Sequence, residues 1–380
     1  MSEQMIEFYR DRLGEGFDSE TCRIIPAIVR DGNDTAYMIT TDLALTGSDV
    51  FVGSEIFKSV DGGLTFGEPH RLKPYEVFEN GIRTIFNIDS LHYHTSTGKF
   101  LCFGRTTHYA DDKHPIAVHG VSTCEPYFSI LDTDTEEFGE LIPLPIPCDM
   151  ISAIPHGQII EDADHNMLLT FYGSARENTR SRIFTVLYSF DGEKIEIVKS
   201  GTPLLSGPEH IRGYCEPSLA RLGDKYYMTI RTDDTAYLAV SEDGFDFAEP
   251  IPWVFDDGEK VESINTQQRW LRFDDALYLA YTRKTQYNSH VFRNRAPLFL
   301  SRFDPERLCL IKESERILVP EMGARLGNFQ SCDVSGDEAW ISVAEWMQLD
   351  GIKKDEWKTC VRYGSNNTLW RVRVVKNRKD

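Results

Sequence analysis

The sequence predicts an all-β fold, a six-bladed β-propeller. Two observations carry this prediction: a Ser-x-Asp turn recurs along the chain, and the segments between its copies are short β-branched or aromatic runs that end at Gly, Asp or Asn. Such runs are typical of β-strands, and recurrence at a near-constant period is typical of an array of equivalent units. No long stretch shows the apolar period of a helix.

The clearest copy of the turn is residues 59–66, Ser-Val-Asp-Gly-Gly-Leu-Thr-Phe, which lies between two apolar runs. An Asp side chain accepts hydrogen bonds from amides of its own turn, and Gly adopts backbone angles closed to other residues. Weaker copies begin at Ser129, Ser189, Ser241 and Ser301, so that consecutive copies are 70, 60, 52 and 60 residues apart. A chain of 380 residues accommodates about six such units.

We therefore predict one propeller domain over residues 1–380. A short strand within residues 1–20 is expected to close the ring by pairing with the last blade. The six blades are predicted at about residues 22–72, 82–145, 152–204, 210–255, 262–318 and 323–376.

The composition restricts the possible functions. A net charge of −19 argues against nucleic acid or an anionic membrane as partner. Eight cysteines without a Cys-x-x-Cys pair predict reduced, mostly buried residues and no metal site. The sequence contains no run of 18 apolar residues, so no membrane-spanning helix is predicted. The N-terminus lacks a signal-peptide pattern, which predicts a cytoplasmic protein, or a secreted or periplasmic one if a leader was removed.

The first strands of propeller blades converge on the axis, so polar residues at their starts share one funnel. A buried polar group needs a partner, and a concave site with convergent polar groups is a candidate binding site. An anionic ligand on so acidic a chain would need a local arginine cluster. The polar residues at the predicted strand starts are Arg23, His156, Tyr214, Glu216, Asn265, Gln267, Arg325 and Gln330.

The sequence resembles the sialidase (neuraminidase) superfamily over about residues 23–305. Arg-Ile-Ile-Pro at 23–26 precedes the turn at 59–66, which matches the Asp-box (BNR repeat) of that superfamily. Glu-Pro-Ser at 216–218 precedes an apolar strand, Arg231 and another Ser-x-Asp-Gly turn. The resemblance implies a six-bladed propeller that hydrolyses glycosides.

The resemblance also implies roles for individual residues. In the superfamily three arginines bind the sugar carboxylate, an Asp near the first Asp-box is the acid/base, and a Tyr–Glu pair supplies the nucleophile. Matching positions give the arginines as Arg23, Arg231 and Arg295, the acid/base as Asp49 and the Glu as Glu216.

Two departures bear on the mechanism. The extra Ile at 23–26 turns Arg23 to the other strand face unless a β-bulge absorbs it. The sixth-blade segment 321–331 has no Tyr, where the superfamily keeps its nucleophile. Tyr214, two residues before Glu216, is the substitute that the sequence offers, because residues i and i+2 share a strand face.

We expect an exo-acting glycosidase that removes a terminal acidic sugar of sialic acid or uronate type, with an anionic carbohydrate as partner and no cofactor or metal. His156, His210, Arg325 and Gln330 are predicted to contact substrate. One alternative is a polysaccharide lyase in which His156, His210 or Tyr214 abstracts the proton alpha to a uronate carboxylate. The other is a sugar-binding propeller without catalysis.

Overall fold

Six antiparallel sheets surround one axis, and this arrangement confirms the predicted six-bladed β-propeller. The computed structural model describes residues 6–47, 49–72, 76–111, 113–118, 121–176, 178–349 and 355–376. The innermost strands of neighbouring blades contact one another all the way round, from blade one to blade six and back to blade one. No helix in these ranges is long and apolar enough to cross a membrane.

The first three blades follow the N-terminal strand β1 (Ile6–Gly14). Blade one contains β2 (Thr21–Arg30), β3 (Ala36–Ala44), β4 (Val50–Ser59) and β5 (His70–Arg71). Blade two contains β6 (Glu76–Glu79), β7 (Ile82–His94), β8 (Lys99–Tyr109), β11 (Pro126–Asp132), β12 (Glu137–Phe138) and β13 (Ile142–Pro143), with a separate hairpin of β9 (Ala117–Val118) and β10 (Val121–Ser122). Blade three contains β14 (Met150–Glu161), β15 (Met167–Ala175), β16 (Asn178–Phe190), β17 (Ile195–Ser200) and β18 (Leu204–Leu205).

The last three blades complete the ring. Blade four contains β19 (Cys215–Leu222), β20 (Lys225–Arg231), β21 (Ala236–Ser241) and β22 (Ile251–Pro252). Blade five contains β23 (Arg269–Phe273), β24 (Ala276–Tyr281), β25 (Leu298–Asp304), β26 (Cys309–Leu310) and β27 (Arg316–Val319). Blade six contains β28 (Phe329–Ser335), β29 (Glu338–Ala344) and β30 (Leu369–Lys376), preceded by the short helix α1 (Trp357–Tyr363).

The recurring segments occupy the same place in five blades, at or near the end of the third strand, with Ser-x-Asp at 59, 189 and 241 and Ser-x-x-Asp at 129 and 301. In the clearest copy, the amide of Gly63 donates to Ser59 Oγ at 2.8 Å and the amide of Thr65 donates to Asp61 Oδ1 at 2.9 Å. Ser241 and Asp243 accept equivalent amide bonds in blade four. Each turn therefore satisfies its own backbone donors, which explains why these residue types recur there.

Apolar side chains from adjacent blades pack into the spaces between the sheets. Between blades four and five, the Trp253 and Trp270 rings meet edge to face with centroids 5.7 Å apart, and Phe303 packs against both. Similar clusters lie at the other blade interfaces. The core is thus a ring of interblade layers, and the axis is left to polar side chains.

The ring closes through β1, which pairs antiparallel with β30 of blade six. Arg371 on β30 is buried and donates to Asp11 Oδ2 of β1 at 2.8 Å. It also donates to the carbonyl oxygens of Gly63 and Leu64 in the first blade. One guanidinium therefore joins the closing strand, the last blade and the first.

We predict that Arg371→Met destabilises the protein by about 3 kcal/mol, because removing one partner leaves the other groups of a buried network unpaired. The free energy of unfolding in urea measures the effect. Arg362→Met, an exposed position on α1, is the control and should leave the midpoint unchanged. Equal midpoints for the two variants would contradict a role for Arg371 in ring closure.

Candidate functional site

We call the face of the propeller whose loops lead into the inner strands the top face. The backbone of the inner strands is irregular where they approach this face. The pairing register of the inner strands shifts at 24–27, 88–90, 156–160 and 215–218. Non-glycine residues at three of the strand starts have positive φ: Ile25 at 48°, Glu216 at 45° and Asn265 at 47°. Bulges and left-handed residues re-aim side chains and concentrate at functional sites.

Glu216 and Arg231 form a largely buried ion pair in the central funnel, with side chains 21% and 8% exposed. Glu216 begins the inner strand of blade four and Arg231 ends the strand paired with it, so the bulge between Cys215 and Ser218 brings their side chains together. Burial raises the pKa of Glu216, but the charges of Arg231 and Arg295 more than offset it and lower the pKa to about 2. Glu216 is therefore a carboxylate at neutral pH.

Asn265 connects Arg231 to a second buried arginine. Its side-chain oxygen accepts from Nε of Arg231 at 2.9 Å and also from Nη2, and its backbone carbonyl accepts from Nη2 of Arg295. Arg295 is 4% exposed, and its Nε has no hydrogen-bond partner among the described residues. Burial and the like charges of Arg231 and Arg325 lower the pKa of Arg295 well below its ordinary value.

Arg325 is the third buried arginine, contributed by blade six. Its guanidinium lies 3.8 Å from the ring centroid of Trp346 and 5.4 Å from that of Phe292. Its Nε, too, has no hydrogen-bond partner in the described part of the chain. Burial lowers its pKa to about 10, and the negative charge of Asp49 acts in the opposite direction. Asp49 is exposed in the top loop of blade one, the neighbour of blade six in the ring.

The floor of the funnel is formed by His156, Arg269 and Gln330. The Arg269 guanidinium lies 3.2–3.3 Å from the ring nitrogens of His156 and donates to Gln330 Oε1 at 3.1 Å. Burial and the charge of Arg269 lower the pKa of His156 to about 3, so its ring is neutral. Gln330 donates onward to the Asp89 carbonyl at 3.2 Å. The predicted contacts His156 and Gln330 therefore lie in the funnel, beneath the arginine cluster.

Like Arg269, the funnel residues Asp89, Arg105 and Tyr172 were not singled out from the sequence. Asp89 occupies the bulge of β7 and pairs with Arg105 of the neighbouring strand. Burial raises the pKa of Asp89 to about 6, against the lowering effect of Arg105. Tyr172 on β15 packs edge to face against His156 at 5.5 Å, and burial raises its pKa well above 10 while the charges of Arg105 and Glu216 also act on it. These residues lie on second strands or in a bulge, where the sequence gives no signal.

Arg23 lies outside the arginine cluster. The bulge at Ile25 absorbs the extra residue, but Arg23 remains opposite Asp42 in the register of blade one and donates to Glu55 Oε2 at 2.7 Å. Arg71 pairs with Asp42 at 3.1 Å, so four alternating charges cross the blade. Arg325, and not Arg23, is the third arginine of the cluster.

Tyr214 and His210 also lie apart from Glu216. Tyr214 precedes β19, and the positive φ of Glu216 breaks the alternation from which a shared face was expected. The Tyr214 ring packs with His210 and Tyr237, with centroids 5.9 and 6.1 Å away. Burial, followed by the charges of Glu249 and other neighbours, raises its pKa to about 12. His210 is buried 3.4 Å from Asp234. The expectation that Tyr214 assists Glu216 therefore lacks its geometric basis.

In the described ranges, no group of three or more His, Cys, Asp or Glu side chains is arranged to hold a metal ion. The candidate site consists of buried arginines facing Glu216 and Asp49. Arginines without a carboxylate partner are suited to binding an anionic guest through charge-assisted hydrogen bonds.

No protein-family model matches this chain, and no curated protein sequence does. Among solved structures, a protein of unknown function from Dyadobacter fermentans is similar with a TM-score of 0.66 at 14% identity, covering 98% of this chain and 99% of that one. The NanB sialidase from Streptococcus pneumoniae is similar with a TM-score of 0.65 at 10% identity, covering 96% and 70%. The intramolecular trans-sialidase from Ruminococcus gnavus gives 0.57 at 11%, covering 95% and 96%. The chain thus has the propeller fold that these sialidases share.

We predict that Glu216 makes stability depend on pH below 5. A folded-state pKa of about 2, below the ordinary 4.5, gives stability that is present above pH 4.5 and lost as the pH falls toward 2. Between pH 5 and pH 3 the free energy of unfolding should fall for both proteins. The fall should be roughly 2 kcal/mol smaller for Glu216→Gln than for the unmodified protein. Urea denaturation at both pH values measures the difference.

The control for this pH dependence is Glu209→Gln, because Glu209 is exposed in the same blade. This variant should follow the unmodified protein. Parallel stability curves for Glu216→Gln and the unmodified protein would show that Glu216 titrates normally and that the ion pair with Arg231 does not hold it ionised.

Proposed function

We propose that this protein is a glycoside hydrolase that removes a terminal acidic sugar, of sialic acid or uronate type. The observation that carries the proposal is the convergence of Arg231, Arg295 and Arg325 in the funnel beside Glu216. Only Arg231 of these three has a carboxylate within ion-pair distance among the described residues. A ligand carboxylate would offset the repulsion among them.

In this proposal the three arginines bind the sugar carboxylate. The Nε groups of Arg295 and Arg325, which find no partner in the described part of the chain, are donors that a carboxylate oxygen can satisfy. Asp49, exposed at the mouth of the funnel, protonates the leaving oxygen. Together with Glu216 it would supply the two carboxyl groups that flank a scissile glycosidic bond in glycosidases.

Glu216 supplies the negative group beneath the sugar. Because its pKa is about 2, it is ionised and serves as a base or nucleophile, and not as the acid. It either attacks the anomeric carbon or removes a proton from the attacking group. The charge of Glu216 acts on the pKa of Tyr172. We therefore propose Tyr172, instead of Tyr214, as the attacking phenol if a tyrosine is used.

Elimination is less well supported than hydrolysis. A lyase needs a base with a pKa near the working pH, whereas the pKa of His156 is lowered to about 3 and its ring contacts Arg269. His210 and Tyr214, the other bases that the sequence suggested, lie together away from Glu216. An activity measurement distinguishes the hydrolase from a propeller that only binds sugar.

We predict that Glu216→Gln and Asp49→Asn each lower kcat by about 10²–10⁴-fold, because each removes a positioned acid or base. Release of the terminal sugar from fluorogenic sialoside and uronide substrates measures the rate. Glu209→Gln is the matched control from the blade-four top loop and should keep full activity. Full activity of Glu216→Gln would overturn the proposal, and inactivity of the unmodified protein with intact binding would favour the sugar-binding alternative.

The two tyrosines are distinguished by a second pair of variants. We predict that Tyr172→Phe lowers kcat by about 10²-fold or more. Tyr214→Phe should change kcat less than threefold, which corresponds to ~0.6 kcal/mol of activation free energy. Circular dichroism confirms that both variants are folded. A large loss for Tyr214→Phe with none for Tyr172→Phe would restore the role expected from the sequence.

A further inference from the structure

Arg293 lies at the top of the funnel in a strained turn. It is in the middle of the short 3-10 turn Phe292–Asn294, within the loop that joins the second and third strands of blade five. Its backbone is left-handed, with φ 53° and ψ 24°. A non-glycine residue in this conformation costs free energy and is found preferentially at functional sites.

The Arg293 guanidinium is held near other positive charges. It lies 4.8 Å from the centroid of the Phe292 ring, and the Arg325 guanidinium lies 5.4 Å from the same centroid. Burial and the charges of Arg231 and Arg212 lower the pKa of Arg293. No carboxylate of the described residues lies within ion-pair distance of it, whereas the nearby Arg212 is paired with Asp233 at 3.4 Å.

Positive charge in the funnel exceeds what one carboxylate can offset. Glu216 and Asp89 are each paired with one arginine, and Asp49 faces Arg293 and Arg325 from the rim. The arginines that share this space are Arg105, Arg231, Arg269, Arg293, Arg295 and Arg325. On a chain of net charge −19, so concentrated an excess favours a guest with more than one negative charge.

We propose that the substrate carries a second acidic group on the sugar next to the scissile bond, and that Arg293 binds this group. The proposal rests on the proposed function, since it assigns the first carboxylate to Arg231, Arg295 and Arg325. Arg293 is half-buried at the mouth, above Arg325 and beside Asp49, which is where the leaving sugar would lie. The substrate class is therefore a glycan with two adjacent acidic residues.

Calorimetric titration of the Glu216→Gln protein, whose turnover is expected to be about 10²–10⁴-fold slower, tests this. The probes are the methyl glycoside of sialic acid and that of the α2,8-linked disaccharide, together with galacturonic acid and digalacturonate. We expect the diacidic member of one pair to bind about 10-fold more tightly than its monoacidic member. Adding Arg293→Gln should abolish that difference and leave monoacid affinity unchanged, while Arg293→Lys should retain part of it.

The matched control is Arg212→Gln, a rim arginine already neutralised by Asp233, which should preserve the preference for the diacid. Equal affinity for monoacid and diacid, or an equal loss for both on Arg293→Gln, would overturn this inference and leave the proposed function standing. If none of the four probes binds, or if Arg231→Gln in a folded protein does not weaken monoacid binding, the proposed function itself is overturned and this inference with it.

Discussion

The buried ion pair between Glu216 and Arg231 is the interaction on which the funnel depends. Removing two charges from water costs several kcal/mol each, and their mutual attraction compensates only when the remaining donors are also satisfied. Here Asn265 accepts from the rest of the Arg231 guanidinium and holds Arg295 through its carbonyl. Through Asn265 the ion pair is therefore connected to blade five at the axis, and the arginine cluster is built around it.

The local charge of the funnel is opposite to that of the whole chain. A net charge of −19 would repel an anionic glycan at long range, but salt screens such fields beyond about 8–10 Å. Inside the funnel the low-dielectric walls strengthen the field of the buried arginines. Selection between anionic and neutral guests is therefore expected in the funnel, where Arg295 and Arg325 each have an Nε without a partner among the described residues.

The sequence was sufficient for the fold because the fold repeats. Ser59 and Ser241 recur with their acidic partners at the ends of equivalent strands, and each turn is specified by side-chain-to-backbone bonds that a sequence displays directly. The site was only partly predictable. Arg231, Arg295, Arg325, Glu216, His156 and Gln330 reach the funnel. Tyr172, Asp89 and Arg105 have no distinguishing spacing in the sequence, since only the packing of blades two and three brings them together.

The remaining differences between the expected and the observed positions of site residues have one physical cause, the irregular backbone of the inner strands. Strand alternation predicted Tyr214 on the same face as Glu216 and did not decide which strand face Arg23 occupies. Alternation holds only while the backbone is extended. A φ of 45° at Glu216 and 48° at Ile25 interrupts it in two different blades. The propeller brings six strand starts to one axis, and these local departures from the strand determine which side chains reach it. Arg23 is accordingly paired with Glu55 in its own blade, while Arg325 from blade six joins Arg231 and Arg295.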